Sequence, residues 1–345
     1  MAHHGSSWLF TPLYTFRGGS DGAEPWARLV FGPDGALYGT TFLGGQFCSG
    51  GCGVVFSLRP PGRPSPNLLT EWSQTVLYSF VGFNDGGNPS EGDLIFDHAG
   101  NMYGTTSEGG GGLCPGLGCG TVYELVRSNG EWAETILHSF SETGDAQEPF
   151  GGLVFDQSGN MYGTSVIGGL YNRGAVFQMT PSGSGWTEQV LHNFRGGPDG
   201  AELYSTPIFD QAGNLYATAS LSGPQGGGTV FELNRSENWA FSLIYSFRGQ
   251  QVQGPQSGLI MDVAGNLYGT TNQEGRYNYG SVFKLSPSNG GWTYTSLHDF
   301  CAGGLPCTDG SLPVGKLEFD AQGNLYGTTT RGGAHDGGVV FEITP

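Results

Sequence analysis

The stretch Gly265-Asn266-Leu267-Tyr268-Gly269-Thr270-Thr271 is one copy of a phrase that recurs along the chain and decides its fold. Self-similarity at a regular period is the signature of a repeat architecture, and it overrides the usual division of 345 residues into separate domains. The tyrosine of the phrase occurs six times, at Tyr38, Tyr103, Tyr162, Tyr216, Tyr268 and Tyr326. Six copies indicate six tandem structural units.

A second sequence pattern also occurs six times: a tryptophan is followed eight residues later by a phenylalanine. Six of the seven tryptophans are used in this way, which makes chance an inadequate explanation. The pairs are Trp8/Phe16, Trp72/Phe80, Trp132/Phe140, Trp186/Phe194, Trp239/Phe247 and Trp292/Phe300.

One copy of the repeat contains four short segments rich in residues that favour strands. They are Leu94 to Asp97, Met102 to Thr106, Thr121 to Leu125 and Trp132 to Phe140, separated by turn residues or glycine-rich loops. Four strands about every 50 residues are typical of a propeller blade. No apolar period of 3.6 residues is sustained, so few helices are expected. The sequence predicts an all-β, six-bladed β-propeller with four antiparallel strands per blade.

The two chain ends predict how the propeller closes. The chain opens on a fourth-strand phrase, Trp8 to Phe16, and stops after a third-strand phrase, Val339 to Ile343. We therefore expect the N-terminal strand to complete the C-terminal blade, which would remove an exposed sheet edge. Residues 1–7 are interpreted as a leftover of cloning, and residues 8–345 as a single propeller domain.

These phrases resemble the repeats of the GloVer tandem-repeat proteins, which are bacterial secreted or surface proteins with varied anchoring tails. The resemblance rests on Gly265 to Thr271 and on Gly280-Ser281-Val282-Phe283-Lys284-Leu285, and it extends over essentially the whole chain. The strand order also resembles that of NHL-type propellers, which are mostly interaction modules. Neither resemblance supplies an activity, because fold does not determine function.

Charge and composition exclude some classes of function. The formal net charge is −17, with only 13 lysines and arginines, whereas nucleic-acid binding needs several cations against phosphates. No apolar run approaches the ~20 residues of a membrane span. We expect a monomer with no nucleic-acid partner and no membrane span.

The six cysteines form three close pairs in sequence. Proximity favours the local disulfides Cys48–Cys52, Cys114–Cys119 and Cys301–Cys307, and three disulfides would imply a secreted or cell-surface protein. A four-thiolate zinc site made from the first two pairs is the alternative, since its ligand spacing is tolerable for zinc.

Functional residues are expected in the variable loops, which join the second strand to the third and the fourth strand to the next first strand. An Asp-Gly-x-x-Pro motif or a close variant recurs in the latter loops. It is interpreted as a repeated Asx-type turn, with calcium or sugar-hydroxyl binding as the alternative. Its aspartates are Asp21, Asp85, Asp145, Asp199 and Asp309, and no other cofactor is indicated.

Positions just before each first strand differ between the copies, and catalysis requires such asymmetry. Arg28, Glu91, Asp93 and Lys316 are predicted to form a polar pocket at the mouth of the central channel. The alternative is a salt-bridge network that closes the channel.

Aromatic and basic residues accompany this predicted pocket. Trp26 and Tyr204 would be its stacking walls. Second-to-third loops add tyrosines beside amides and arginines, a combination suited to the apolar face and polar rim of a sugar. The loop residues are Tyr171, Arg173, Arg276, Tyr277 and Tyr279.

Two catalytic-looking signals are interpreted as structural. Gly18-Gly19-Ser20-Asp21-Gly22 matches a nucleophile-elbow pattern, but no helix follows it. His138, His192 and His298 repeat at one position of separate outer strands, too far apart to share a metal.

Three functions remain open. The first is a secreted binding module for a glycan or a surface protein. The second is a carbohydrate-active hydrolase or lyase, or a calcium-dependent lactonase, whose two carboxylates could act as acid and base. The third is a structural surface protein without a small ligand.

Overall fold

The structure is a computed structural model that describes residues 2–4, 7–9, 12–48, 50–60, 72–111, 114, 118–142, 144–183, 185–249 and 254–344. It consists of short antiparallel strands, with one three-residue 3-10 helix at Arg235–Glu237 among the described residues. The chain divides into two compact units, Met1–Ser139 and Phe140–Pro345.

The first unit contains a short hairpin and two blades. The hairpin pairs β1 (Ala2–His4) with β2 (Ser7–Leu9). Blade 1 consists of β3 (Val30–Phe31), β4 (Leu37–Thr41), β5 (Val54–Arg59) and β6 (Ser73–Ser79). The rest of the unit comprises β7 (Gly86–Gly87), β8 (Ile95–Phe96), β9 (Met102–Thr106), β10 (Glu108–Gly109), β11 (Thr121–Ser128) and β12 (Glu131–Ser139), of which β8, β9, β11 and β12 form blade 2.

The second unit contains four blades. Blade 3 is formed by β14, β15, β17 and β18, blade 4 by β19 to β22, blade 5 by β23 to β26 and blade 6 by β27 to β29. The strands are β13 (Ala146–Gln147), β14 (Val154–Phe155), β15 (Met161–Ser165), β16 (Ile167–Gly168), β17 (Ala175–Ser182), β18 (Gly185–Asn193), β19 (Ile208–Phe209), β20 (Leu215–Ala219), β21 (Gly226–Asn234), β22 (Ala240–Arg248), β23 (Ile260–Met261), β24 (Leu267–Thr271), β25 (Ser281–Ser288), β26 (Gly291–Asp299), β27 (Glu318–Phe319), β28 (Leu325–Thr328) and β29 (Val340–Ile343).

Each blade follows chain order with antiparallel neighbours, so the predicted six-bladed β-propeller is confirmed. Blade 6 has three strands among the described residues. The segment expected as its fourth strand instead forms the β1–β2 hairpin over Ser7–Leu9, and Phe10 and Thr11 lie outside the described residues. Closure by the N-terminal strand therefore stays a prediction, as does the single-domain boundary at residue 8.

Hydrogen bonds within one turn explain the recurring phrase. In blade 5, Asp262 accepts from the backbone amides of Ala264 and Asn266, each at 2.9 Å. Its other oxygen accepts from the Asn266 side chain at 2.7 Å and from the Tyr268 hydroxyl at 3.1 Å. The aspartate, asparagine and tyrosine therefore recur together because one carboxylate binds both of the others.

Aromatic contacts between consecutive blades explain the phenylalanine of the recurring tryptophan–phenylalanine pair. Phe80, which follows the fourth strand of blade 1, packs edge-on against Tyr123 of blade 2 with ring centroids 5.1 Å apart. In the second unit, Phe140 meets Phe177 and Phe247 meets Phe283 in the same way. These six rings are fully buried or nearly so, and they form part of the core between blades.

The two kinds of variable loop lie side by side at one end of each blade. In the loops of blade 2, β7 pairs with β10, and in those of blade 3, β13 pairs with β16. Isolated bridges join the equivalent loops elsewhere, at Ala23–Leu43, Ala201–Leu221 and Ser311–Arg331. We call this surface of a blade its variable-loop end.

Candidate functional site

The three local disulfides are confirmed. Each cysteine pair is joined: Cys48–Cys52, Cys114–Cys119 and Cys301–Cys307. The four-thiolate zinc alternative is therefore wrong, because an oxidised pair offers no thiolate to a metal. Each disulfide closes a short segment within one loop at a variable-loop end.

Arg28 and Asp93 form an ion pair in the first unit. The Asp93 side chain is buried, and the Arg28 guanidinium contacts it with an Nη2–Oδ2 distance of 2.6 Å. The backbone amide of Arg28 donates to the second carboxylate oxygen at 3.0 Å. This geometry favours the salt-bridge interpretation for these two residues over a carboxylate held ready for catalysis.

Glu91 differs from its neighbour Asp93 in its environment. Its side chain stays accessible to water, yet the surrounding protein desolvates the carboxylate and raises the pKa of Glu91 to about 7. A carboxyl that is half protonated near neutral pH is suited to general acid catalysis.

Lys316 belongs to the second unit and lies beside the start of a neighbouring blade. Its Cδ is 3.2 Å from the position that a Cβ would take at Gly258, which is the equivalent position in blade 5. The contact agrees with the prediction that Lys316 and Gly258 occupy equivalent positions in consecutive repeats. That Lys316 shares a pocket with Arg28, Glu91 and Asp93 stays a prediction.

The two predicted stacking walls already have aromatic partners. Trp26 stacks on Phe42 with ring centroids 4.1 Å apart and stays 49 % exposed. Tyr204 meets the edge of Phe150 at 5.5 Å, and its hydroxyl donates to Glu202 at 3.2 Å. Trp26 keeps more surface for a ligand than Tyr204, which is only partly exposed.

Two arginine–tyrosine pairs lie at variable-loop ends of the second unit. In blade 3 the Arg195 guanidinium lies over the Tyr171 ring, 5.2 Å from its centroid. In blade 5 the guanidinium of Arg276 lies 5.7 Å from the centroid of the Tyr277 ring. The predicted combination of aromatic ring and cation thus occurs as a contact in two blades.

Two pockets lie on either side of the loop that carries Tyr171. Exposed Leu170 belongs to both pockets. One encloses about 470 Å³ and is lined by Leu170, Tyr171, Leu191, His192, Asn193, Arg195, Pro198, Asp199 and Phe241. The other encloses about 670 Å³ and is lined by Glu142, Gly144, Gln147, Gly169, Leu170 and Asn172. Leu170 had no place among the predicted ligand-binding residues.

The other two predicted loop residues, Arg173 and Tyr279, differ in their exposure. Arg173 is exposed beside Tyr171, and its backbone carbonyl accepts from the amide of Glu202 at 3.1 Å. Tyr279 is partly buried and packs against the core between blades 5 and 6. Tyr279 is therefore mainly a packing residue.

The repeated aspartates brace their own loops. Asp85 accepts from the amide of Val81 at 2.9 Å and from the hydroxyl of Tyr78 at 3.0 Å. The amides of Arg17, Ser141, Arg195 and Cys301 donate in the same way to Asp21, Asp145, Asp199 and Asp309. Within either unit, no group of three candidate metal ligands among the described residues combines two of these aspartates. The geometry supports the turn interpretation, and calcium binding stays a prediction.

The outer-strand histidines join the same turns. His192 contacts Asp199 and His298 contacts Asp309, each with a nitrogen–oxygen distance of 3.1 Å. They occupy the place that Tyr14 and Tyr78 take in other copies, where a hydroxyl donates to the aspartate. Their repetition therefore has a structural cause.

Buried glutamates are residues that repeat analysis did not single out. The fifth copy lacks the loop aspartate, and Glu274 from the following second-to-third loop lies near Tyr245 instead. Burial raises the pKa of Glu274 to about 8. Its Oε1 is 1.7 Å from the position that a Cβ would take at Gly227, so a larger residue there would displace the Glu274 carboxylate. The missing aspartate in the fifth copy, together with a glutamate in the next second-to-third loop, was the available signal.

Comparisons with known structures agree with the fold. The chain is 10 % identical to a polysaccharide lyase of family 25, an ulvan lyase, with a TM-score of 0.54 and coverage of 91 % of this chain and 78 % of that one. It is 12 % identical to a protein of unknown function from Dyadobacter fermentans, with a TM-score of 0.51 and coverage of 94 % and 96 %. At such identities the likeness shows the fold alone.

Comparison with families is more specific. No curated protein matches the chain. In the part of the chain that the structure describes, no helix has the length and apolarity needed to cross a membrane. The model of the Gloeobacter/Verrucomicrobia repeat matches twice, over residues 4–208 and 152–345, and together these matches span nearly the whole sequence. The chain therefore belongs to the Gloeobacter/Verrucomicrobia repeat family.

Proposed function

We propose that this protein is a secreted binding module that recognises acidic glycans through arginine–tyrosine pairs at the variable-loop ends of its blades. The observation that carries the proposal is that an arginine lies over a loop tyrosine in two blades of one unit, Arg195 over Tyr171 and Arg276 over Tyr277, with the two arginines supplied by different kinds of loop. Repeated sites favour a binding module, because catalysis needs only one. Three disulfides support an oxidising, extracellular setting.

The chemistry of the pair matches a uronic acid residue. A guanidinium pairs with a carboxylate through two parallel hydrogen bonds, while a tyrosine ring offers an apolar face to the sugar ring. Exposed Leu170 extends this apolar surface beside Tyr171. In a chain of net charge −17, such arginines are the places where an anionic ligand is attracted rather than repelled.

The blade 3 site is held in shape by its own loop. The amide of Leu170 donates to the Asn193 side chain at 2.8 Å, and the Asn172 side chain accepts from the amide of Gly168 at 3.0 Å. The amide of Arg195 donates to Asp199 at 2.9 Å. Because the loop is ordered before binding, less conformational entropy is lost when a ligand arrives.

Titration calorimetry with oligomers of polygalacturonate and alginate, and with dextran as a neutral control, tests the proposal. Tyr171→Ala and Arg195→Ala should each weaken binding of an acidic oligomer at least about tenfold. Arg235→Ala is the matched control, since that arginine lies 5.9 Å from the ring centroid of Trp239 at the opposite end of its blade. Absence of binding to both acidic polymers, or equal binding by all three variants, would refute the proposal.

A second candidate function is a carbohydrate-active hydrolase or lyase with Glu91 as general acid. The observation that favours it is a solvent-accessible carboxyl with a pKa of about 7. Product release from the same acidic polymers, measured with pH, should then decline as pH rises through 7 and disappear in Glu91→Gln. Binding without any product at any pH argues against the enzyme.

A further inference from the structure

The first unit contains an apolar pocket that the arginine–tyrosine sites do not explain. It encloses about 530 Å³ at the variable-loop ends of blades 1 and 2. We call it the Phe83 pocket, and its lining consists of Phe42, Leu43, Cys48, Gly51, Cys52, Val81, Gly82, Phe83, Gly87, Asn88 and Glu108. This volume lies within the range of ordinary small-molecule and side-chain sites.

Large apolar side chains at this pocket are exposed to water. Phe83 is 74 % exposed and Val81 is 41 % exposed. In the same loops Phe47 is 45 % exposed, and Trp26, stacked on Phe42, is 49 % exposed. Single exposed apolar residues are ordinary, but several around one concavity mark an interaction surface.

The pocket is braced before anything binds. The Cys48–Cys52 disulfide forms part of its wall, and the sulphur atoms lie about 3 Å from the Cβ position of Gly82. The amide of Val81 is held by Asp85 at 2.9 Å. Phe83 has a φ of +52°, a left-handed conformation that is unfavourable for a phenylalanine. The loop thus keeps the Phe83 ring exposed and holds its backbone in a conformation that phenylalanine disfavours.

The charges around the pocket indicate what it accepts. Among the described residues that line it there is no lysine or arginine, and Glu108 is the one that is charged. A second carboxylate belongs to exposed Glu24, whose backbone carbonyl accepts from the amide of Phe42 at 2.9 Å. An acidic sugar is disfavoured here, in contrast to the arginine–tyrosine sites. The occupant should combine an apolar group with positive charge.

We infer that the Phe83 pocket docks a protein partner through an aromatic or branched aliphatic side chain flanked by lysine or arginine. The apolar side chain fills the cavity between Phe42, Val81 and Phe83, and the flanking cations face Glu24 and Glu108. Burial of an apolar anchor in a preformed pocket is the usual source of affinity at protein interfaces, and charge complementarity at the rim sets specificity. This inference is independent of glycan binding.

Peptide-phage panning on the intact protein, with Phe83→Ser in parallel, tests the inference. The wild-type protein should enrich a consensus of one large apolar residue beside lysine or arginine, and Phe83→Ser should not. The synthesised consensus peptide should then bind at least about tenfold more weakly to Phe83→Ser in calorimetry. Its lysine-to-glutamate analogue should lose binding to the wild-type protein.

Phe31→Ser is the matched control, because Phe31 is 73 % exposed in β3 of the same unit. It should bind the peptide as the wild type does. Thermal melts check that each variant is folded. An acidic or absent consensus, or equal binding by Phe83→Ser and wild type, would overturn the inference.

Two further results would also overturn it by naming another occupant. One is self-association in sedimentation velocity that Phe83→Ser abolishes, which would indicate a second copy of the chain. The other is binding to a neutral glycan on an array that the same variant abolishes.

Discussion

The carboxylate of Asp93 accepts three hydrogen bonds from Arg28, one from its backbone amide at 3.0 Å and two from its guanidinium at 2.8 and 2.6 Å. The two residues are 65 positions apart, and their contact joins the starts of the first strands of blades 1 and 2. A buried carboxylate is costly unless it is paired, so this contact stabilises the junction between the blades.

Arg28→Ala should lower the free energy of unfolding by about 1 to 3 kcal/mol, because it leaves the buried Asp93 carboxylate without its cation. Urea unfolding measures the change. Arg17→Ala is the control, since that side chain is exposed and 3.9 Å from Asp21; it should cost less than about 0.5 kcal/mol. If Arg28→Ala also weakens binding of acidic glycans while the control does not, the channel-mouth pocket gains support. Lost stability with unchanged binding would reject it.

Tyr123→Phe should stabilise the protein by about 1 kcal/mol. The Tyr123 hydroxyl is buried without a hydrogen-bond partner among the described residues, whereas five other blades carry phenylalanine at this position. Tyr103→Phe is the control with the opposite expected effect. The Tyr103 hydroxyl donates to Glu124 at 2.6 Å, so its removal should destabilise the protein. Thermal melts of both variants decide the point, and a lower melting temperature for Tyr123→Phe contradicts it.

Glu134→Gln should change how stability depends on pH. Burial and the nearby Asp85 carboxylate raise the pKa of Glu134 to about 8, from about 4.5 when unfolded. Between these values the folded state keeps a proton that the unfolded state has lost, so stability declines as pH rises. The variant should be more stable than wild type by about 1 to 3 kcal/mol at the upper end of this range and similar at the lower end.

Two comparisons sharpen the Glu134 experiment. The first blade already has glutamine at the equivalent position, where Gln74 donates to the backbone carbonyl of Asp21 at 3.0 Å. Glu131→Gln, an exposed change on the same strand, should leave the pH profile of unfolding as it is in the wild type. A profile for Glu134→Gln parallel to that of the wild type at all pH values speaks against a raised pKa.

Asp262→Ala should destabilise blade 5 by about 2 kcal/mol, because four donors lose their common acceptor. Although partial burial acts in the opposite direction, hydrogen bonds from Asn266 hold the pKa of Asp262 below its usual value of 3.8. The stabilisation is therefore present above pH 4 or so and is lost as pH falls through the folded pKa. The difference from wild type should shrink in acid. Val263→Ala, at a fully exposed neighbour, is the control.

The sequence by itself was enough to predict the blades, their strand order and the three disulfides. Each depends on short-range relations: Asp262 binds Asn266 and Tyr268 within one turn, and Cys48 reaches Cys52 within one loop. Short-range relations recur in every copy, so repetition makes them visible. The turn interpretation of the repeated aspartates could be predicted for the same reason.

Only the tertiary structure decided which side chains meet at the variable-loop ends. Arg195 lies over Tyr171, and Phe42, Val81 and Phe83 line one pocket, although nothing in the repeat pattern pairs them. Arg28 and Asp93 were predicted to be neighbours in either a polar pocket or a salt-bridge network, and the structure favours the salt bridge for these two residues. The physical reason is that loop residues are free of the periodic burial that constrains strands, so their partners come from other loops and blades brought together by packing.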